Sequence, residues 1–180
     1  MALSQIGLER LNTATTDKIG ERKNLIINGA MQVAQRGTSS TSNGHQTVDR
    51  YNMNSSGHDE APTQAQADVV AGTTPYTSGF RKSLKITNGN QTSGAGAADR
   101  LRILYIIEAQ DIANSGWNYT DSNSKITLSF WIKSSVAQNF YFRATTSDGT
   151  SQNFPMETGS LSADTWTKIT KTIPGNSNLA

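Results

Sequence analysis

Two histidines and a few neighbouring carboxylates are the side chains of this sequence that could support catalysis or bind a metal. His45 and His58 both lie in polar stretches, and His58-Asp59-Glu60 is the densest group of polar, titratable residues. A zinc site needs three or four ligands at suitable spacing, and no third ligand is evident for either histidine. We therefore interpret both histidines as solvated loop residues and predict no metal site.

Two pairs of acids have the composition of a glycosidase centre. One pair is Asp59 with Glu60, and the other is Glu108 with Asp111. The chemistry needs two carboxyl groups about 5–10 Å apart across a sugar, which a sequence cannot show. Most acids of the chain lie beside Lys, Arg or turn residues, which favours surface roles. The sequence also lacks GxSxG, P-loop and HExxH motifs. We predict that the chain is not an enzyme and has no catalytic residue.

Two short loops carry side-chain oxygens that could bind a calcium ion. Asp121-Ser122-Asn123 and Asp148-Gly149 could supply oxygen ligands, but Asx-type turns explain the same residues without a metal. Gly94-Ala95-Gly96 lacks the third glycine of a dinucleotide-binding loop, so a flexible connection is the better interpretation. We therefore predict no cofactor, with structural calcium as the less favoured alternative.

Trp117 and Tyr119 are the side chains best suited to touch a ligand. They lie in a loop rich in Gly, Asn and Ser, whereas Trp131 and Trp166 lie inside predicted strands and should pack. Exposed rings stack on the apolar faces of sugars, which favours glycan contact. A loop anchor packed on the rim of the fold is the alternative, and the sequence leaves both open.

The composition describes a β-rich domain with few charges. The 180 residues are 34% hydrophobic and 17% charged, carry a net charge of +2, and include 15 glycines but no cysteine. Disulfides and thiolate chemistry are therefore excluded. Lys and Arg are scattered rather than clustered, which argues against a nucleic-acid partner. No stretch approaches the ~20 apolar residues of a membrane span, and the first 18 residues lack the basic and apolar regions of a secretory signal, so we expect the chain to fold in a cytoplasm.

Alternation of apolar and polar residues predicts many short strands punctuated by Gly, Asn and Asp. The predicted strands are 25–27, 31–35, 48–53, 83–87, 125–133, 140–145 and 165–173, with Asn28-Gly29 as a two-residue hairpin turn. The polar composition of residues 55–79 predicts a linker. Such a pattern indicates an antiparallel sandwich.

The densest apolar run is 100–113, RLRILYIIEAQDIA. Its apolar residues fall on both faces of a strand. This predicts either a central strand covered on both sides or an interface with a trimer mate or another partner. Periodicity alone does not exclude a helix here.

The first 23 residues have the character of an arm. Leu3, Ile6, Leu8 and Leu11 could form one or two turns of weak helix, which is too short to be stable alone in water. The arm either docks on a partner through these four residues or is a frayed terminus.

The block 24–51, NLIINGAMQVAQRGTSSTSNGHQTVDRY, closely resembles one found in tail fibres and related appendages of tailed bacteriophages. The segments SLKIT, RLRILYIIEAQDI, KITLSFWIKSS and TWTKITKTIPG resemble a jelly roll of the carbohydrate-binding-module type. Together the resemblances cover about two-thirds of the chain.

The resemblance implies an all-β, antiparallel, jelly-roll-like sandwich preceded by an extended or short-helical arm. It divides the chain into an attachment arm (1–23), a connecting β element (24–54), a polar linker (55–79) and the sandwich (80–180). A jelly roll has about eight strands, so we expect the sandwich to be incomplete here and to continue in a longer protein.

The same resemblance implies a structural virion protein made in the infected cytoplasm. It would dock to other tail proteins by its N-terminus, form a homotrimer and support attachment to host surface glycans through many weak contacts. Two alternatives stay open: a sugar-binding module of a non-viral protein, and the N-terminal part of a tailspike depolymerase whose catalytic domain lies beyond residue 180.

Overall fold

The computed structural model describes residues 24–94, 96–147 and 150–179. The predicted docking residues Leu3, Ile6, Leu8 and Leu11 lie outside these ranges, as does the Asp148-Gly149 turn.

The described chain is all-β, as predicted. Its strands are β1 (Ser39–Ser40), β2 (Tyr51–Ser56), β3 (Thr63–Asp68), β4 (Lys82–Thr87), β5 (Arg100–Tyr105), β6 (Lys125–Ile132), β7 (Tyr141–Thr145), β8 (Asn153–Glu157) and β9 (Thr167–Pro174). Two short helices, α1 (Thr74–Thr77) and α2 (Ala109–Ala113), and a 3-10 turn at Ser177–Leu179 complete it. All strand pairs are antiparallel, in sheets β1-β3-β4, β2-β5, β6-β9 and β7-β8. The jelly-roll arrangement itself stays a prediction.

The best-predicted strands are those with clean alternation, and β6 shows why. Ile126, Leu128, Phe130 and Ile132 share one face and are half-buried, while Thr127 and Ser129 on the other face are exposed. Across the pair with β9, Phe130 lies opposite the buried Ile169. The Phe130 ring meets that of Phe142 on β7 edge-on, at 5.3 Å between centroids. This contact packs the β6-β9 sheet against the β7-β8 hairpin.

The predicted strands at 25–27 and 31–35 are absent, and side-chain hydrogen bonds take their place. Residues 27–30 form a turn closed by the Met31 amide donating to the Asn28 carbonyl at 2.8 Å. Asn28 has the predicted positive φ, 57°. Its carboxamide donates to the carbonyls of Val33 and Asp49 and accepts from the Val33 amide, at 3.0–3.1 Å. The main chain is thus satisfied by an amide side chain rather than by a strand ladder.

Strand β3 lies inside 55–79, where a polar linker was predicted. Its sequence, TQAQAD, alternates amides with alanines and carries no apolar signal. In the fold Gln64 is only 1% exposed and lies opposite Ile86 of β4. A fully bonded amide can therefore occupy a core position that sequence patterns assign to solvent.

The apolar run 100–113 divides into β5 and α2. The expectation of a central strand covered on both sides is wrong, because in the described chain β5 pairs with β2 alone. Leu101 is 41%, Ile103 49% and Ile106 66% exposed. The alternative, an interface with another chain, stays a prediction.

Candidate functional site

The site with the most unusual geometry forms where the end of the 24–51 block meets the end of β5. We call it the Arg50 cluster: His45, Arg50, Tyr51, Tyr105 and Glu108. The β2-β5 register places Tyr51 directly opposite Tyr105, which brings Arg50 and Glu108 to the same end of the sheet. Val48, two residues before Arg50, is 1% exposed and anchors the turn in the core.

Arg50 is held in a strained backbone conformation by its side-chain partners. Its φ is 76°, in the left-handed region that arginine seldom adopts. Its Nη1 donates to Glu108 Oε1 at 2.7 Å, and the guanidinium lies 6.0 Å from the Tyr105 ring centroid. The hydrogen bond to Glu108, and then the one to Tyr105, raise the pKa of Arg50 above its usual value. Such strain persists only where neighbouring contacts over-determine it, and it often marks functional sites.

Tyr105 joins this cluster to the start of the described chain. Its ring meets that of Tyr51 edge-on at 5.2 Å between centroids. Its hydroxyl accepts a hydrogen bond from the Ile27 amide at 2.6 Å and donates to the Ile27 carbonyl at 3.2 Å. The Tyr105 hydroxyl therefore hydrogen-bonds both main-chain groups of Ile27, which a neighbouring strand would otherwise do.

Tyr51 gives the cluster a measurable pH response. Burial, and to a lesser degree the nearby Tyr105, raise the pKa of Tyr51 to about 12. A tyrosine in the unfolded chain ionises near ~10. The stability contributed by the neutral phenol is therefore fully present below about pH 10 and is lost as the pH rises towards 12.

Alkaline titration followed at 295 nm should show a phenol ionising near pH 12 that disappears in Tyr51→Phe. The matched control is Tyr141→Phe, because Tyr141 is 80% exposed. Loss of an ordinary phenol, ionising near ~10, from the Tyr51→Phe variant would contradict the assignment.

A shallow depression of about 200 Å³ opens beside the cluster, lined by His45, Arg50, Ile106 and Glu108. Typical small-molecule pockets begin at about 300 Å³, so this one suits a single ring or side chain rather than a whole ligand. His45 Nδ1 lies 3.1 Å from the Tyr51 carbonyl oxygen. The lining offers one cation, one carboxylate, one imidazole and one aliphatic wall, which together can hold a polar group.

The strain at Arg50 can be separated from its ion pair by two substitutions. Arg50→Ala removes the ion pair and keeps a side chain at positive φ, whereas Arg50→Gly removes the pair and relieves the strain. We expect both to lower the melting temperature and the alanine variant to melt lower. A glycine variant that melts at or below the alanine variant would show that position 50 is not strained.

The His58-Asp59-Glu60 group is a junction between loops. Asp59 accepts bonds from the amide and hydroxyl of Ser93 at 2.7 Å, and these bonds lower the pKa of Asp59. Glu60 accepts from the Asn90 amide at 2.6 Å, and His58 Nε2 lies 3.1 Å from the Ser55 hydroxyl. These bonds give the three residues structural partners that the interpretation as solvated loop residues did not include.

The other candidate acids, Glu108, Asp111 and Asp121, have structural partners as well. Glu108 belongs to the Arg50 cluster, and Asp111 is 5% exposed in the first turn of α2. Asp121 Oδ1 accepts from the Asn123 amide at 2.9 Å, which is the Asx turn favoured for that loop. Within residues 24–94, 96–147 and 150–179, no three or more His, Asp or Glu side chains are grouped to hold a metal ion.

The two loop aromatics differ in role. Trp117 is half-buried, and its Nε1 donates to the Ser124 carbonyl at 3.3 Å, which is the geometry of a loop anchor. Tyr119 packs edge-on against Trp117 at 6.4 Å between centroids and is 39% exposed. Tyr119 is therefore the more accessible of the two candidate glycan contacts.

A more exposed aromatic lies on the β7-β8 hairpin and was missed by sequence reasoning. Tyr141 is 80% exposed and lies opposite Glu157 on the outer face of the hairpin. Glu157 accepts from Asn139 Nδ2 at 2.7 Å, and Arg143 shares the same face. The alternation of Tyr141, Arg143 and Thr145 along β7 was the available signal for this face.

Comparison of the chain with protein-family models, with curated proteins and with solved structures gives no match. Among the described helices none is long and apolar enough to cross a membrane.

Proposed function

We propose that this chain is a structural subunit of a virion appendage, a tail fibre or a similar part of a tailed bacteriophage. It docks to other tail proteins through Leu3, Ile6, Leu8 and Leu11, assembles as a homotrimer and supports attachment to host surface glycans. The observation that carries the proposal is the way residues 24–51, the block that resembles tail fibres, are joined to the sheets.

Before β2 begins at Tyr51, this block contains one strand, the two-residue β1, and otherwise forms a connector of turns and irregular main chain. Gln66 of β3 donates to the carbonyls of Met31 and Gln32 at 2.7 and 3.1 Å, and Asp49 accepts from the Gln35 amide at 3.1 Å. These bonds act together with those of Asn28 and Tyr105. A segment tied at several points to two different sheets changes its orientation little, which suits a joint between an attachment arm and a β-rich body.

The glycan part of the proposal rests on exposed tyrosines with polar neighbours. Tyr141 offers an open ring face, with a carboxylate held in place by Asn139 and a guanidinium on the same surface. Sugars are recognised by this combination of stacking and directed hydrogen bonds. Single contacts of this kind are weak, so repeated copies would supply the avidity.

Association with particles tests the virion role. We expect peptides of this chain to co-sediment with purified virions and antibodies against it to label the tail by electron microscopy. A protein recovered free of particles would instead favour the sugar-binding module of a non-viral protein. Glycan cleavage by the native full-length protein would favour the depolymerase.

A glycan array probed with the multimerised chain tests the binding face. We expect Tyr141→Ala to reduce the signal severalfold and Val70→Ala, which alters another exposed hydrophobic position off the hairpin, to leave it unchanged. Equal binding by the two variants would remove Tyr141 from the proposal and leave Tyr119 as the next contact to test.

A further inference from the structure

Strand β5 presents an open, apolar edge. Its inner edge pairs with β2 over all six residues, from Arg100 opposite Ser56 to Tyr105 opposite Tyr51. Its outer edge has no strand partner in the described part of the chain. Leu101 and Ile103 of β5 are 41% and 49% exposed, and Ile106, directly after β5, is 66% exposed.

Two other edge strands of the described fold carry the usual protection against unwanted pairing. β8 has a proline at position 155, which cannot donate to a ladder, and β9 carries Lys168 and Lys171. β5 has no proline, and its two arginines lie in its first half. An edge with this composition is usually covered in the working state of a protein.

We propose that β5 pairs antiparallel with β5 of a second copy of this chain. The charges favour this occupant because the segment 100–108 begins with Arg100 and ends with Glu108. In an antiparallel pair each arginine lies opposite the other copy's glutamate, whereas a parallel pair would place like charges together. Glu108 is 44% exposed while bonded to Arg50, so it is accessible to a second arginine.

This charge pairing sets a single register with Leu104 at the two-fold axis. Residues that lie directly opposite in an antiparallel pair share a face. Ile103 then lies opposite Tyr105, and Leu101 lies opposite Ile107, so one face of the paired strands carries only Leu, Ile and Tyr side chains. Glu108 has extended backbone, with φ −76° and ψ 146°, as pairing beyond Tyr105 requires.

The contact goes beyond the proposed virion role and is separate from the three-fold assembly proposed above. One strand pair buries less surface than the roughly 1,200–2,000 Å² of a stable interface. We therefore expect weak, concentration-dependent dimers in isolation that gain strength when copies are held together.

Cysteine trapping tests the proposal directly, because the full chain contains no cysteine. Directly opposed residues have Cα atoms roughly 4.5–5.5 Å apart, within the range of a disulfide. Under mild oxidation, Leu104→Cys should form disulfide dimers. Leu101→Cys should not, because in this register two copies of residue 101 lie far apart. Val70→Cys, at an exposed position elsewhere, controls for random collision.

A second variant shows whether the edge itself drives pairing. Adding Ile103→Lys to Leu104→Cys should slow disulfide formation by at least roughly tenfold, because it places two ammonium groups in one apolar face. Equal trapping of Leu101→Cys and Leu104→Cys would overturn the two-fold register in favour of parallel copies. Trapping of Leu104→Cys no faster than Val70→Cys would overturn the pairing altogether. Neither result depends on the protein being part of a virion.

Discussion

Gln64→Glu is expected to destabilise the protein by about 3–5 kcal/mol at neutral pH, which is the range for an uncompensated buried charge. Gln64 is 1% exposed, and its Nε2 donates to the carbonyls of Ser42 and Gly44 at 2.7 and 3.2 Å. Its Oε1 accepts from the Thr47 hydroxyl at 3.1 Å. The isosteric glutamate would place a charged oxygen against two carbonyl oxygens, with no donor between them.

The loss of stability caused by Gln64→Glu should increase as the pH rises. Burial would raise the folded-state pKa of the introduced carboxyl above its unfolded value of about 4.3. The penalty is therefore absent below that value and grows as the pH rises through the folded-state pKa. Urea unfolding of the variant and the parent between pH 4 and pH 8 measures this difference in the free energy of unfolding.

Two further variants complete the test at position 64. Gln64→Ala removes the same bonds without adding charge and should cost about 2–4 kcal/mol with little dependence on pH. Gln138→Glu, at an exposed position, should stay within about 0.5 kcal/mol of the parent. A Gln64→Glu variant as stable at pH 8 as at pH 4 would mean that this amide is solvated.

Gly175→Ala is expected to cost about 1–3 kcal/mol through crowding. Gly175 is buried directly after β9, and its amide donates to the Ser124 carbonyl at 2.9 Å. A Cβ there would lie 2.7 Å from the Tyr119 carbonyl oxygen, 2.9 Å from that of Asn118 and closer still to that of Asp121. All three atoms are main chain, so the loop as a whole must move.

The displaced loop carries Trp117 and Tyr119, which links stability to a candidate binding surface. Thermal unfolding measures the loss, and the emission of Trp117 should shift as its bond to Ser124 weakens. Gly96→Ala is the matched control, because the nearest atom to its Cβ would be Asp99 Oδ1, at an ordinary 3.4 Å. Equal melting temperatures for the two alanine variants would contradict the crowding argument.

Sequence reasoning succeeded where alternation was clean. β2, β4, β6, β7 and β9 lie at or within a few residues of their predicted positions, because side-chain alternation is a property of the strand itself. It failed for β3, whose one buried residue is the amide Gln64 and whose sequence has no apolar alternation. The Arg50 cluster was also missed, because its members are brought together by the pairing of β2 with β5 rather than by spacing.

The sequence by itself determined the all-β class, the absence of thiol chemistry and the strands with strict apolar alternation, because these depend on composition and local periodicity. Only the tertiary structure decided the path of residues 24–50 and the exposure of β5. Asn28, Gln66 and Tyr105 bond main-chain groups that other segments bring to them, and periodicity does not show which partner covers a strand. Whether an amide such as Gln66 bonds the main chain, or an apolar strand such as β5 is covered, depends on the segments that the fold places beside it.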